Sequence, residues 1–384
     1  MSKADNLASL LDAAGNIDSA DIGTGAITEA KIGTGAVTEA KIGTGAVTTE
    51  KLNVGQLGGR RNLIINGAMK VAQRGTSISG GTGKDFYGLD RFVFEGTDYP
   101  ITVQVTHSNS QITDGNRNAL KISTAGTAIG TAQVHQRIER ETFRHTIGQT
   151  VTFSCLVKRN SSTVTGGTLR MIASVNANTH AFRDTPGAYP SHTVTETLVT
   201  GVQNIPTDYT RYTASFTMPA GANTTDILEI GLSFINFTGA GAWEDLFSIS
   251  EMQLELGDTA TPFEHRSYAE ELELCKRYYQ RWDATDSNYR FAPAHVKSTS
   301  AAEVLFQLRP EMRVEPTTLE TTGTAGDYKV YSDGIDICTG VALNSNSNKY
   351  TGILEANASG LTAGDAGQLI SSDSNGYVAF NAEL

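Results

Sequence analysis

The sequence predicts a mostly β protein with a short repeat stalk, a β-sandwich (jelly roll), one connecting α-helix and a small C-terminal β domain, assembled as an intertwined homotrimer. Three observations lead there. Gly numbers 39 and only 18% of the 384 residues are charged, the composition of a turn-rich β chain rather than a helical enzyme. A repeat with a five-residue period fills the N-terminal region. Beyond it, short runs of alternating apolar and polar residues are separated by Gly, Asn, Asp and Ser.

The length suits about two to three domains of roughly 150 residues each, enough to bury a core without disulfides or metals. A formal charge of −11 argues against a phosphate-backbone partner, so no nucleic acid is expected. Cys155, Cys275 and Cys338 are far apart and in no CxxC pair. They make neither a disulfide framework nor a zinc site, and fit assembly in a reducing cytoplasm. No apolar run approaches 18 residues and no signal-peptide core is present, so neither secretion by signal peptide nor membrane insertion is expected.

Residues 1–14 contain NLASLLDAA, in which Leu7, Leu10 and Leu11 suit a short amphipathic turn. Such a segment is too short to fold alone and is expected to anchor the chain by ordering on a partner. Residues 15–58 form the stalk. Ile17, Ile22, Ile27, Ile32, Val37, Ile42, Val47, Leu52 and Leu57 are spaced five apart. On a helix each such step turns about 140°, which scatters the side chains. On a strand an odd step alternates faces. The period therefore needs a turn every few residues. A single-chain pentapeptide solenoid satisfies it, but only with barely two coils, where stacked repeats usually need about three units. An intertwined stalk, in which several chains share one aliphatic axis, satisfies it better.

Residues 59–266 read as the sandwich. In TVTFSCLVK, Val151, Phe153, Cys155 and Val157 face one way and Thr152, Ser154 and Lys158 the other. In SISEMQLELG, Met252, Leu254 and Leu256 oppose Glu251, Gln253 and Glu255. Residues 267–284 read as the helix. Ser267 and Glu270 make a capping box, and Tyr268, Leu272, Cys275, Tyr279 and Trp282 form one stripe. Residues 285–384 return to short strands and form the C-terminal tip.

Common catalytic signatures are missing. SGGTGKD around Lys84 fails as a phosphate loop at Ile78 and again at Asp85, and neither GxSxG nor HExxH occurs. The seven histidines show no metal-ligand pairing. Glu251 and Glu255 share a strand face and are expected to be solvated rather than catalytic, and Glu139 and Glu141 among Arg137, Arg140 and Arg144 suggest surface ion pairs. No catalytic residue, metal or cofactor is therefore assigned. Aromatic rings near polar loops are the candidate sugar platforms: Tyr328, Tyr331 and Tyr350 in the tip, and Trp243 after a Gly-rich loop, where a core role competes.

Several stretches together resemble a known family. RNLIINGAMKVAQRG followed by FYGLDRF resembles the opening of the carbohydrate-binding-module-like jelly roll of bacteriophage tail fibres. AQVHQRIERETFRHTIGQTVTFSCLVK is similar to its middle strands, and MQLELGDTATPFEHRSYAEELELCKRYYQR to its closing strand and the helix after it. EMRVEPT and GYVAFNAEL are similar to distal fibre domains, and the IGTGAVTEAK repeats to fibre stalks. The resemblance implies a homotrimeric virion tail protein held by a tail or baseplate protein at its N-terminus. Its partner at the host surface would be a glycan or an outer-membrane protein, bound during adsorption. Two rivals remain: a ligand-free connector or head-attached fibre, and a depolymerising tailspike, which should show a long parallel β-helix and a carboxylate pair. The tip loops LNSNSNK and SSDSNG are the favoured recognition site, with the jelly roll as runner-up.

Overall fold

The computed structural model describes residues 22, 27–28, 32–33, 36–38, 41–42, 60–79, 86–96, 101–106, 118–124, 128–176, 193–221, 223, 225–240 and 245–384. The anchor expected over residues 1–14 lies outside them. The chain divides into two compact units, Met1–Val54 and Gly55–Leu384.

In the first unit, the Ala36 amide donates to the Gly33 carbonyl and the Lys41 amide to the Thr38 carbonyl, both at 2.9 Å. These two bonds recur five residues apart, in step with the repeat.

The second unit opens with a sandwich of two six-stranded sheets. The first runs β1 (Ser77–Ser79), β4 (Ile101–Thr106), β5 (Ala119–Thr124), β12 (Asp245–Leu256), β7 (Thr150–Arg159) and β10 (Thr210–Thr217). The second runs β2 (Phe86–Tyr87), β3 (Phe92–Gly96), β6 (Ala128–Ile138), β11 (Ile227–Ala240), β8 (Thr165–Asn176) and β9 (Thr193–Thr200). Every pairing is antiparallel. Phe153 and Cys155 from β7, Leu232 and Phe234 from β11 and Phe247 from β12 fill the space between the sheets. Phe234 and Phe247 stack across it with centroids 4.2 Å apart.

One extra residue changes the alternation of β12. Its pairing with β7 shifts register between Ser250 and Gln253, where Glu251 takes a left-handed φ of 49°. Ile249 before this bulge and Met252 and Leu254 after it therefore all reach the same core.

The RNLIING segment packs along β12 as a clasp. Asn62 donates to the Met252 carbonyl and accepts from the amides of Ile64 and Leu254. Asn66, at a left-handed φ of 59°, donates to the carbonyls of Val71 and Asp90 and accepts from the amides of Lys70 and Val71. Between them Gly67 lies so close that a Cβ there would sit 2.1 Å from the Met252 carbonyl oxygen. A fully buried carboxamide with every bond made, as at Asn66, fixes one local conformation.

α1 (Arg140–Phe143) is a single turn that buries Phe143. α2 (Tyr268–Lys276) begins at Ser267, whose hydroxyl accepts from the Glu270 amide at 3.3 Å, as the capping pattern predicts. It does not continue to residue 284. The Gln280 side chain donates to the last-turn carbonyl of Lys276, and Tyr279–Asp283 becomes a strand, β13. Tyr279 and Trp282 therefore leave the expected helical stripe, because an aromatic-rich run pairs more favourably with a waiting strand than it propagates a helix.

β13 pairs with β21 (Tyr377–Asn381), which also pairs with β16 (Thr318–Thr321). The remaining strands close a six-stranded barrel in the order β14 (Arg290–Ser298), β15 (Ala301–Gln307), β19 (Thr351–Ala358), β18 (Ile335–Leu343), β17 (Tyr328–Tyr331) and β20 (Ala366–Ser371). Val304, Val330, Leu354 and Leu369 fill it, and Trp282, Phe306 and Phe380 form an aromatic plug with centroid separations of 5.1–6.0 Å.

Barrel and sandwich meet at a buried charge network. Glu383, which follows β21, forms ion pairs with Arg91 and with Arg74, the latter at 3.6 Å. Arg91 lies over the Tyr278 ring at 3.4 Å and Arg74 over Tyr279 at 3.6 Å. Arg137 and Tyr87 both donate to the Leu384 carbonyl. Burial pushes the Tyr87 phenol up to about 12, with the Glu383 carboxylate adding to the shift.

Candidate binding surfaces

Strand register places three polar residues of the second sheet side by side on the face turned away from the core. Gln133 on β6 pairs with Ser233 on β11, and Ser233 pairs with Arg170 on β8. Their neighbours along each strand, Ala132, Val134, Leu232, Phe234, Leu169 and Met171, all point into the core. Gln133 is 7% exposed and Ser233 0%. Nevertheless the Gln133 side-chain oxygen, the Ser233 hydroxyl and the Arg170 Nε have no hydrogen-bond partner among the described residues. At about 4.8 Å between strands, the row is roughly 10 Å long. It offers an acceptor, a group that both donates and accepts, and a cationic donor.

Two further rows lie along the same face, and the His135 Nε2 stands 3.9 Å from the Glu229 carboxylate. His135, Gly231 and Ile172 follow in register, then Arg137, Glu229 and Ser174. Arg137 donates to Glu229 at 2.9 Å, and Ser174 exchanges a hydrogen bond with Thr193. Buried polar atoms left without a hydrogen bond are costly, and such groups usually mark a bound molecule or water.

The tip candidates separate. Tyr328 is not a platform: it is fully buried in the barrel, its hydroxyl donates to the Tyr377 carbonyl, and it accepts from the Thr322 amide. Tyr331 is 40% exposed, with the Arg290 guanidinium 5.2 Å from its ring centroid. Tyr350 is the most open, at 62%, and a hydrogen bond to Glu311 raises its pKa. Trp243 lies outside the described residues. The polar loops are largely occupied with their own turns. Asn344 accepts from the Asn346 amide, Asn348 from the amides of Tyr350 and Thr351, and Asp373 from the Asn375 amide.

The carboxylates are rearranged too. Glu255, expected on a solvated face, is buried and accepts from the Thr261 amide and hydroxyl and from Gln253. Arg137 is buried rather than part of a surface ion pair, whereas Arg144 and Glu141 do pair on the surface, at 3.1 Å. A carboxylate pair that periodicity could not show lies on the barrel, where Glu303 and Glu355 are directly opposite in register. Lys297 bridges them, at 3.6 Å and 2.5 Å, offsetting the repulsion of like charges across a strand pair. Among the described residues no group of three His, Cys, Asp or Glu is placed to hold a metal, and no helix is long and apolar enough to cross a membrane. The three cysteines are free and buried, which pushes the Cys338 thiol up to about 12.

Of the stalk residues, Ile22, Ile27, Ile32, Val37 and Ile42 are described, and they are 42–58% exposed. Ile17, Val47, Leu52 and Leu57 lie outside the described residues.

No family model and no curated protein matches the sequence. Solved structures do match in backbone. The C-terminal family 22 carbohydrate binding module of Clostridium thermocellum Xyn10B aligns at 11% identity over 45% of this chain and 89% of that chain, with a TM-score of 0.29. The CBM22-1 xylan-binding domain from Paenibacillus barcinonensis Xyn10C aligns at 12% identity over 54% and 98%, with a TM-score of 0.28. Against the CBM22-1–GH10 modules of C. thermocellum xylanase 10B, at 10% identity and a TM-score of 0.30, the match covers 52% of this chain and 29% of that chain.

Proposed function

We propose that this protein is a structural virion fibre of the tail-fibre type, joined as a homotrimer along its repeat, which binds a host-surface glycan during adsorption without cleaving it. The observation that carries the binding role is the unpartnered Gln133–Ser233–Arg170 row. A sugar presents consecutive hydroxyls that each donate and accept, and such a sequence complements an acceptor, a hydroxyl and a guanidinium in line. The homotrimer is supported by the exposure of five aliphatics in strict period, which a single chain leaves open to water. Weak contacts multiplied over three chains would then give useful avidity.

The test is a glycan-array hit followed by calorimetry. Gln133→Ala combined with Ser233→Ala should weaken that glycan about tenfold or more, at ~1 kcal/mol per lost neutral hydrogen bond. Unchanged affinity would overturn the site. A second reading places recognition at Tyr350, favoured by its 62% exposure, and Tyr350→Ala in the same titration separates the two.

A further inference from the structure

The barrel carries an apolar patch that is left open among the described residues. Tyr331, Ile335 and Ile337 are 40%, 57% and 60% exposed. They share one outer face of the β17–β18 hairpin, where Tyr331 pairs with Ile335 and Lys329 with Ile337, while Val330 and Cys338 point into the barrel. Gly326 extends the patch, since a Cβ on it would lie 4.0 Å from Ile337. The edges differ in charge. On the β20 side stand Lys329 and Arg290, the latter hydrogen-bonded to Gln368 and reaching over the Tyr331 ring. On the other side stands Asp333 in the hairpin turn, which accepts from Thr362.

We propose that this face packs against the same face of the other copies of the chain around their common axis. The inference rests on the self-association proposed above and names its second contact. Copies joined in register along the repeat are parallel, so each barrel meets its neighbours at high effective concentration, and a patch smaller than a free-standing interface suffices. Around a rotation axis each copy meets its two neighbours with two different edges, so the cationic edge of one faces the acidic edge of the next. An axial position also explains why exposed isoleucines occur here and not around the whole barrel. The opposite wall, with Lys297, Glu303 and Glu355 on β14, β15 and β19, is charged.

The three native cysteines are buried and free, so a single introduced thiol can be read directly in the full-length protein. Ile337→Cys and, on the opposite wall, Leu305→Cys would be labelled with a maleimide after the solution mass is measured. A mass of three chains of 40.9 kDa, with the thiol at 337 labelled at least an order of magnitude more slowly than that at 305, is the expected result. Equal labelling rates in a trimer would overturn the axial contact while leaving the stalk reading intact, and would free the face for another partner. A 40.9 kDa monomer would overturn both. Hydrogen exchange of the Ile335–Leu343 strand in the unmodified chain gives the same comparison if Ile337→Cys fails to fold: protection in the trimer, lost on dissociation, is expected, and exchange unaffected by dissociation rejects the contact.

Discussion

In the central sandwich strands β7 and β12, residues that alternate polar between apolar neighbours are mostly buried on both faces, whereas in the barrel the outward positions of similar strands stay open and some are apolar. Thr152 and Ser154 of β7 point away from the core yet are buried. The chain beyond β12 covers them: Thr152 donates to the Gly257 carbonyl, and Arg211 reaches both Ser154 and the Thr261 carbonyl. On the barrel, Ile335 and Ile337 face outward with no such cover. A buried polar residue and an exposed apolar residue are both departures from the usual rule, and each points to a partner. In the sandwich the partner is mostly the chain itself, except along one row. On the barrel the proposed partner is another copy of the chain.

The contrast breaks most sharply at the junction between the two regions. Glu383→Ala leaves Arg91 buried without its counter-ion, and breaking a pair of this kind costs about 3–5 kcal/mol. Chemical denaturation should show that loss and split one transition into two as the barrel uncouples from the sandwich; a single transition at unchanged midpoint would show that the network joins nothing. Gly352→Ala is confined to the barrel. Its new methyl would lie 2.5 Å from atoms of the Phe380 ring, overpacking that costs about 1–3 kcal/mol and should lower only the barrel's melting. The smallest effect belongs to Asp245 at the sandwich edge. Burial alone would raise its pKa, but hydrogen bonds from the Ser123 hydroxyl and the Lys121 ammonium outweigh burial and hold it below the usual carboxylate value. With the folded value below the unfolded one, this contribution is present above the usual carboxylate range and is lost as pH falls through the lowered value. Asp245→Asn should therefore lose stability relative to the parent at neutral pH, and the difference should fade in acid.

The alternation in TVTFSCLVK and MQLEL made the sandwich legible, and the S-x-x-E pattern located the helix start. Its end was not legible, because Tyr279 and Trp282 fit a helical stripe as well as a strand and only pairing with β21 decides between them. Tyr328 was misplaced for a related reason: period-two alternation does not say which face of a short strand closes a barrel. The unpartnered row was the least visible feature. AQVHQR does show polar residues at alternate positions, but Gln133, Arg170 and Ser233 come together only through cross-strand register. No local spacing encodes that.

The strand Tyr377–Asn381 follows the other described strands in sequence, yet it lies at the centre of its sheet and leads directly to Glu383. A chain interrupted before it would have its sandwich strands in place but would leave Arg91 and Arg74 without the carboxylate they enclose, and the barrel's aromatic plug without Phe380. Such a fragment could collapse but could not join its two halves. The strand Tyr377–Asn381 thus fastens the sandwich to the barrel from both sides, through a carboxylate on one and an aromatic ring on the other.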